Sequence, residues 1–490
     1  MFISMLVSFY TSRVILQTLG IEDYGIYNVV GGLVSMFSVI SSSLSVAISR
    51  FMTFELGKGD NNKLTKIFSV SITIQMCLAI IVVLIAEFIG VWFLNNKMEI
   101  SPERLVAANW IFQFSIVTFA MGLVCVPYSA IIIAHERMTA FAYLGILDVL
   151  AKLGIVFLLL ISPMDKLVFY GLLLMLWSFI TRFILGIYCK RNFEECKFNF
   201  VLDWPLQKEM FSFAGWNFIG ASSAILRDHG GNIIINLFCG ATVNAARGVA
   251  MQVNGVISGF VSNFTVAINP QITKNYAAGD SDRLMNLIFK SARFSFYLLL
   301  MLSLPVIVNA GYILDLWLDV VPEHSSTFLQ LTLLFTLSES LANPLITAML
   351  ATGDIRNYQI VVGGLQMMNL PLRYMFLSFG FQPEVVFFVA IFISICSELS
   401  RIYMLRKMIG LSARSFLKNV YFNVFMVLII SSTIPFILKF TITETFLNFI
   451  LCCVVSLICT SFTVYYIGCN DGERVYLLAQ TKRVIRRFSK

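Results

Sequence analysis

The sequence predicts an all-α polytopic membrane protein of about 14 transmembrane helices, in two parallel six-helix repeats followed by two C-terminal helices. Three observations carry this reading. Of 490 residues, 58% are apolar and only 13% charged, against about 45–50% and 25% in an ordinary soluble chain. Apolar runs of bilayer-crossing length, about 20 residues each, recur from one end of the chain to the other. The chain also matches itself at a shift of about 220 positions, which marks an internal duplication. A soluble enzyme and a disordered chain are both excluded by this composition.

Taken in order, the runs between charged or Gly/Pro/Asn breaks are 1–19, 24–49, 67–94, 105–133, 140–161, 167–188, 210–239, 243–270, 291–314, 327–350, 360–379, 385–405, 420–438 and 445–467. Several exceed one bilayer crossing, so tilted helices or interfacial ends are expected. The apolar N-terminus reads as a span, not as a cleavable signal. Most of the 35 Lys and Arg lie in the stretches 50–66, 134–139, 189–209, 271–293, 351–359, 406–419 and 468–490, whereas Lys97, Arg104, Lys166, Arg247 and Lys439 fall in the opposite loops. The excess of basic loops on one side places that side, and both termini, in the cytoplasm. The net charge of +8 then reports membrane orientation and calls for no nucleic acid. The loops on the outer side are too short for a catalytic domain.

The duplication is carried by several pairs. Gly59-Asp60-x-x-Lys63-Leu64 matches Gly279-Asp280-x-x-Arg283-Leu284; Pro127 and Ala134 match Pro344 and Ala351; Asp148 and Lys152 match Asn369 and Arg373; Ser178 and Arg182 match Ser397 and Arg401. Six spans per copy is an even number, so the copies enter the membrane the same way and form parallel repeats with a cavity expected between two lobes. The expected organisation is an N-terminal six-helix lobe over 1–188, a cytoplasmic linker over 189–209, a second six-helix lobe over 210–405, and two further helices with a basic cytoplasmic tail over 406–490. The seventh span begins near Met210, so its counterpart would begin before Met1. The first helix is therefore expected to be shortened, or the true start to lie upstream.

A charge at the centre of a span costs roughly 3 kcal/mol on insertion scales, so each intramembrane ionisable residue asks for a reason. Asp148 and Lys152 are four apart on one helix face. They form either a structural salt bridge or, with Arg373 at the equivalent position, a pair of cations suited to an anion. Arg227-Asp228-His229, followed by Gly230-Gly231, interrupts the seventh span. It is either a broken helix with locally paired charges or a substrate-facing bend of the kind that forms transporter sites. Arg13 lies in the equivalent first span. Arginine suits phosphate because its planar fork donates two parallel hydrogen bonds. Arg13, Lys152, Arg227 and Arg373 are thus candidate anion-binding residues. Asp148, Asp228, Glu339 and Glu398 are candidate sites for a coupling proton or sodium ion, or partners of nearby arginines. Arg182 and Arg401 lie near the cytoplasmic end, where snorkelling accounts for them. Pro127 and Pro344 are kinks or hinges in equivalent spans. The stretch Arg283 to Arg293 and the tail Lys482-Arg483-x-x-Arg486-Arg487 read as interfacial helices near anionic lipid.

No GxxxxGK[ST] loop, HExxH motif or Cys/His ligand cluster occurs, so nucleotide hydrolysis, a metal and a cofactor are not expected. The ten cysteines form no CxxC pair and read as small apolar residues; Cys189 and Cys196 fall in a basic, reducing loop.

Several strings resemble one family. Tyr10-Thr11-Ser12-Arg13-Val14-Ile15-Leu16 and Leu19-Gly20-Ile21-Glu22-Asp23-Tyr24-Gly25-Ile26-Tyr27-Asn28-Val29-Val30 are similar to the opening of Wzx-type O-antigen flippases. These are the polysaccharide transporters of the multidrug/oligosaccharidyl-lipid/polysaccharide (MATE-like) superfamily. Phe213-Ala214-Gly215-Trp216-Asn217, Asn244-Ala245-Ala246-Arg247-Gly248 and Ala134-His135-Glu136-Arg137 fit the same bacterial group. The resemblance implies two six-helix lobes about a central cavity and no enzymatic activity. It implies transfer of an undecaprenyl-pyrophosphate-linked oligosaccharide from the cytoplasmic to the periplasmic leaflet of the bacterial inner membrane, beside polysaccharide polymerase machinery. Such a substrate needs a cationic cavity for its pyrophosphate and polar walls for its sugars, for which Asn217, Asn244, Asn254 and Asn263 are available. The alternatives are an ion-coupled multidrug or small-molecule exporter of the same superfamily, whose cavity would favour unpaired acids, and a membrane enzyme such as a polymerase. The duplication and short outer loops argue against the enzyme.

Overall fold

Helix starts and stops repeat across the two halves of the chain, and the same local devices set them. The computed structural model describes all residues except 1, 36, 97, 99, 200, 202, 319–320, 442–444, 476–478 and 480–490. Fourteen long helices are present among the described residues, and no strand. They are α1 (2–19), α2 (21–35, continued by Ser38–Lys58), α3 (Asn61–Asn96), α4 (Leu105–Ala134), α5 (Met138–Ile161) and α6 (Lys166–Asn192). The second set is α7 (204–239), α8 (241–277), α9 (Ser281–Val308), α10 (Ser325–Thr352), α11 (356–378) and α12 (Val385–Ile409). The last two are α13 (Ala413–Thr441) and α14 (Phe446–Gly468). Among the described residues nine of these are long and apolar enough to cross a membrane.

The repeat is visible in the backbone. α1 passes into α2 through Gly20 (φ 82°, ψ 171°), and α7 passes into α8 through Gly240 (φ 84°, ψ 177°). This region is open only to glycine. Nothing lies within 4 Å of where a Cβ would sit on either residue, so the backbone angle, not crowding, demands glycine there. Gly59 and Gly279 close α2 and α8 in left-handed conformation, and Asp60 and Asp280 then cap α3 and α9 by accepting from the backbone N–H of Lys63 and Arg283. Pro127 and Pro344 are buried inside α4 and α10 without ending either helix.

The chain divides into two compact units, Met1–Phe218 and Ile219–Lys490. In the first, α4 is the hub, packed on α6, α3, α2 and α1. Ala108, Ile111, Phe112 and Ile116 on α4 join Leu159 and Leu167 in one buried cluster. In the second, α10 packs on α9 and α12, while α13 and α14 pack on each other and on α9. Between apolar helices in lipid the drive is close packing and polar pairing, because lipid tails are as apolar as leucine.

Two expectations are corrected here. The helix does not unwind at Arg227-Asp228-His229-Gly230-Gly231; helical geometry runs through α7 and fails only at Gly240. The charges are satisfied sideways by neighbouring side chains, so the backbone keeps its own bonds. The stretch Arg283–Arg293 is no surface helix either, but the first part of α9, with Arg283 exposed and Arg293 only 4% exposed. Arg293 donates to Gly468 O (3.0 Å) and Glu473 Oε1 (2.7 Å), and Tyr297 beside it donates to Gly468 O and Asn423 Oδ1. This buried network ties α9 to α13 and to the segment after α14. The tail Lys482-Arg483-x-x-Arg486-Arg487 lies outside the described residues.

Described residues between α6 and α7 are stitched to other parts of the first unit. The His135 ring stacks on Phe193 at 4.5 Å and pairs with Glu195; Asn199 N–H donates to Ser69 Oγ; Lys66 pairs with Asp203. Burial pushes the Glu195 carboxyl up, but its bond to His135 outweighs that and holds it below the usual carboxylate range. Cys189 and Cys196 are both buried and unbridged, as small core residues are.

Candidate functional site

Five helices of the second unit, α7, α8, α10, α11 and α12, converge on one cavity of about 220 Å³. Its walls include Arg227 and Asp228 from α7, Arg247 and Asn254 from α8, Thr332, Thr336 and Glu339 from α10, and Arg373 from α11. Residues 247, 251 and 254 on α8 and 332, 335, 336 and 339 on α10 recur at helical three-and-four spacing, so each helix presents one polar stripe.

Arg227 is fixed on several sides. Its Nε donates to Asp228 Oδ1 at 2.9 Å and one Nη to Gln366 Oε1 at 3.3 Å, with Glu339 Oε2 at 3.8 Å and the Phe335 ring beneath it at 5.1 Å. Gln366 in turn donates to Ser397 Oγ. Arg373 donates through Nη1 to the backbone carbonyl of Arg227 at 2.7 Å, and Arg247 donates to Asn232 Oδ1. The Nε atoms of Arg247 and Arg373 are buried and have no partner among the described residues.

Gly231 explains how two guanidinium groups come so close. A Cβ there would lie 2.5 Å from Arg373 Nη1 and 3.1 Å from both terminal nitrogens of Arg247. Gly230 beside it makes room for Leu370, whose Cδ2 would be 2.2 Å from a Cβ. The Gly230-Gly231 pair is thus a packing notch in an intact helix.

Three guanidinium groups therefore face two carboxylates, Asp228 and Glu339, so the cavity carries a net positive charge. Arg247 and Arg373 are 4% and 3% exposed, and no carboxylate pairs with either among the described residues. Buried cations without a counter-ion are costly, and an anion of two or more charges would relieve that cost.

Of the residues expected from the sequence, Arg227, Asp228, Glu339 and Arg373 meet in this cavity, together with Asn254. Lys152 and Asp148 form the i,i+4 salt bridge at 2.7 Å within α5 of the first unit, and Trp177 Nε1 donates to the same carboxylate at 3.0 Å. Glu398 does not line the cavity; it lies on α12, accepts from Tyr421 of α13, and leaves Oε1 without a partner among the described residues. Asn217 lies in the first unit, and Asn244 has a buried Oδ1 without a partner among the described residues; neither is in the cavity wall. The Arg13 side chain lies outside the described residues. Arg182 borders a separate cavity in the first unit.

Arg247 was missed because the sequence reading assigned it to an outer loop. The structure runs α8 through it and turns it inward. The available signal was spacing: Arg247, Met251 and Asn254 share one face of a helix, with Arg247 seven positions after the turn-forming Gly240.

Comparisons with known proteins agree with this architecture. The family described as "Polysaccharide biosynthesis protein" matches residues 1–276, and the MatE family matches 231–375. The uncharacterized membrane protein EpsK of Bacillus subtilis (strain 168) is 21% identical over 320 residues, which cover 64% of this chain and 63% of that protein's length. Among solved structures, an outward-facing multidrug resistance MATE transporter of the MOP superfamily superposes with a TM-score of 0.68 at 12% identity, covering 83% of this chain and 93% of that one. A Pyrococcus furiosus MOP-superfamily transporter, described as having a binding pocket of reverse polarity, matches with the same score, identity and coverage. The MATE transporter ClbM in complex with Rb+ matches at TM-score 0.61 and 16% identity over 85% and 93% of the two chains. With more than half its length matched, this chain belongs to the polysaccharide biosynthesis protein family, and it has the MATE fold.

Proposed function

We propose that the protein is a flippase for an undecaprenyl-pyrophosphate-linked oligosaccharide, moving it from the cytoplasmic to the periplasmic leaflet of the bacterial inner membrane by alternating access of two six-helix lobes. The observation that carries this reading is the cavity in which Arg227, Arg247 and Arg373 outnumber Asp228 and Glu339. A pyrophosphate matches it in charge and geometry, because each guanidinium fork donates two parallel bonds to phosphate oxygens. Arg247 and Arg373, lacking carboxylate partners, are its first contacts. Arg227 can exchange Glu339, which is already at the edge of pairing distance, for a phosphate oxygen.

The basic loops support termini in the cytoplasm. Anionic lipid beside those loops and a polysaccharide polymerase receiving the product are the partners this role calls for. Glu339, released from Arg227 when the anion binds, is the candidate to carry a coupling ion. A multidrug exporter of the same fold would need carboxylates free for a cationic drug, whereas here Asp228 pairs with Arg227 and Glu339 accepts from Ser394.

The test is leaflet accessibility of a lipid-linked oligosaccharide in vesicles reconstituted with the protein, read with a lectin outside. Crossing that depends on the protein, and that Arg373→Ala lowers at least tenfold, is expected. Crossing by wild type and Arg373→Ala at equal rates would remove the basic cavity from the mechanism; no crossing by wild type would favour ion-coupled export of small molecules.

A further inference from the structure

The duplication copied a cavity as well as helices. The first unit holds a cavity of about 590 Å³, and part of its wall stands at positions equivalent to part of the wall of the basic cavity; the counterparts of Arg227, Asp228 and Arg373 do not line it. Tyr27 occupies the place of Arg247, Gly31 that of Met251 and Val34 that of Asn254. On α4, Ser115, Thr118, Phe119 and Gly122 stand for Thr332, Phe335, Thr336 and Glu339 on α10; on α6, Gly171 stands for Ala390 on α12.

The substitutions explain both its size and its chemistry. Three glycines replace methionine, glutamate and alanine, which enlarges the space. The arginine of α8 and the carboxylate of α10 have become tyrosine and glycine, which removes two of the charges. What remains is a set of hydroxyls on Ser41, Ser45, Ser115, Thr118 and Ser129, whose side chains have no hydrogen-bond partner among the described residues. Into the room left by Gly122 reaches Arg182, whose Nη2 lies 3.2 Å from where a Cβ would sit, while its Nε is held by Ser178 Oγ. Unpaired hydroxyls inside a membrane domain are costly when dry. A water-filled or liganded cavity resolves that cost, and its volume falls within the usual range for ligand pockets, about 300–1,000 Å³.

We infer that this second cavity is a saccharide site. Sugars present alternating hydroxyls and apolar C–H faces, which match hydroxyl side chains interleaved with the rings of Tyr27, Phe114 and Phe119. The Arg182 fork, held through Nε by Ser178 and lying beside the Cys125 thiol, can turn its terminal nitrogens to two adjacent oxygens, either vicinal hydroxyls or a uronate carboxylate. The inference deepens the flippase reading and rests on it for biological meaning: one copy of the pocket grips the pyrophosphate and the other grips the sugars.

The test measures binding of free oligosaccharides that carry neither lipid nor pyrophosphate. The full-length protein, in lipid nanodiscs free of glycoside detergents, is titrated calorimetrically with maltotriose, N-acetylchitotriose and trigalacturonate. Saturable millimolar binding of at least one is expected, weakened at least tenfold by Thr118→Val and by Gly31→Met. Gly31 has nothing within 4 Å of its would-be Cβ, so methionine fills the cavity without a backbone clash. Pyrophosphate binding by the same preparations reports that the variants are folded. Arg182→Gln separates the two sugar chemistries: it erases a preference for trigalacturonate if the ligand is a uronate, and weakens all probes alike if the fork holds vicinal hydroxyls. Binding of none of the three by wild type, or binding indifferent to both Thr118→Val and Gly31→Met, overturns the inference. Lipid-linked oligosaccharide crossing without free-saccharide binding would leave the flippase reading intact and this one refuted. Saccharide binding that Gly31→Met abolishes, in a protein that moves no lipid-linked oligosaccharide, would do the reverse.

Discussion

At the scale of single residues, the basic cavity depends on an absent side chain as much as on three present ones. Gly231 sits where Arg247 and Arg373 meet, and a methyl group there would overlap the latter's Nη1 at 2.5 Å. Gly231→Ala is therefore expected to push Arg373 off the Arg227 carbonyl and to weaken pyrophosphate binding about tenfold or more, the scale of one charge-assisted hydrogen bond. Gly230→Ala, which meets Leu370 instead, should lower thermal stability with a smaller effect on binding; calorimetric titration with pyrophosphate separates the two. Arg227 and Arg373 were readable as site residues because an unpaired cation in an apolar run is rare. Arg247 was not, because it follows the break at Gly240 by only seven positions and so falls where an outer loop is expected. Asp148 and Lys152 were legible as a pair from their i,i+4 spacing, and the observed salt bridge is the bland one of the two readings.

Among the elements, the two glycine junctions carry most of the geometric burden. Gly240 turns α7 into α8 and so decides the direction from which Arg247 and Arg227 approach each other; Gly20 does the same for α1 and α2. Gly240→Ala is expected to destabilise the protein by about 1–3 kcal/mol, the usual cost of forcing a Cβ into this backbone region. Gly255→Ala in α8, a helical glycine with free space around it, should be neutral or slightly stabilising. Thermal unfolding in detergent would compare them, and equal melting points for the two variants would show that the junction tolerates a side chain. The Gly59-Asp60 and Gly279-Asp280 boundaries were predictable from sequence because a left-handed C-cap followed by an aspartate N-cap is a local device. The continuity of α7 through Arg227-Asp228-His229 was not, since it depends on partners from α11 and α10 that only folding supplies.

For the whole molecule, the segment after α14 is held to α9 within the second unit by a buried ion pair. Arg293 and Glu473 have side chains 5% and 8% exposed and lie 2.7 Å apart. Arg293→Ala strands Glu473 and is expected to cost about 3–5 kcal/mol, whereas the double variant Arg293→Met, Glu473→Leu should recover much of that loss. Chemical denaturation of the three proteins checks it; a double variant as unstable as the single one would show that packing around Arg293, not charge pairing, holds the segment.

Composition, the basic loops and the internal match were enough to determine the all-helical membrane class, the two-fold repeat and the presence of buried arginines, because each is a property of the chain read one segment at a time. Which arginines share a cavity, which carboxylates neutralise them, and that the first unit encloses a cavity at partly equivalent positions, lined by hydroxyls and Arg182, were decided only by the tertiary structure. Those facts depend on the rotation of each helix about its axis and on side chains that lie more than a hundred positions apart, and helix rotation is set by packing between helices rather than by any one of them alone.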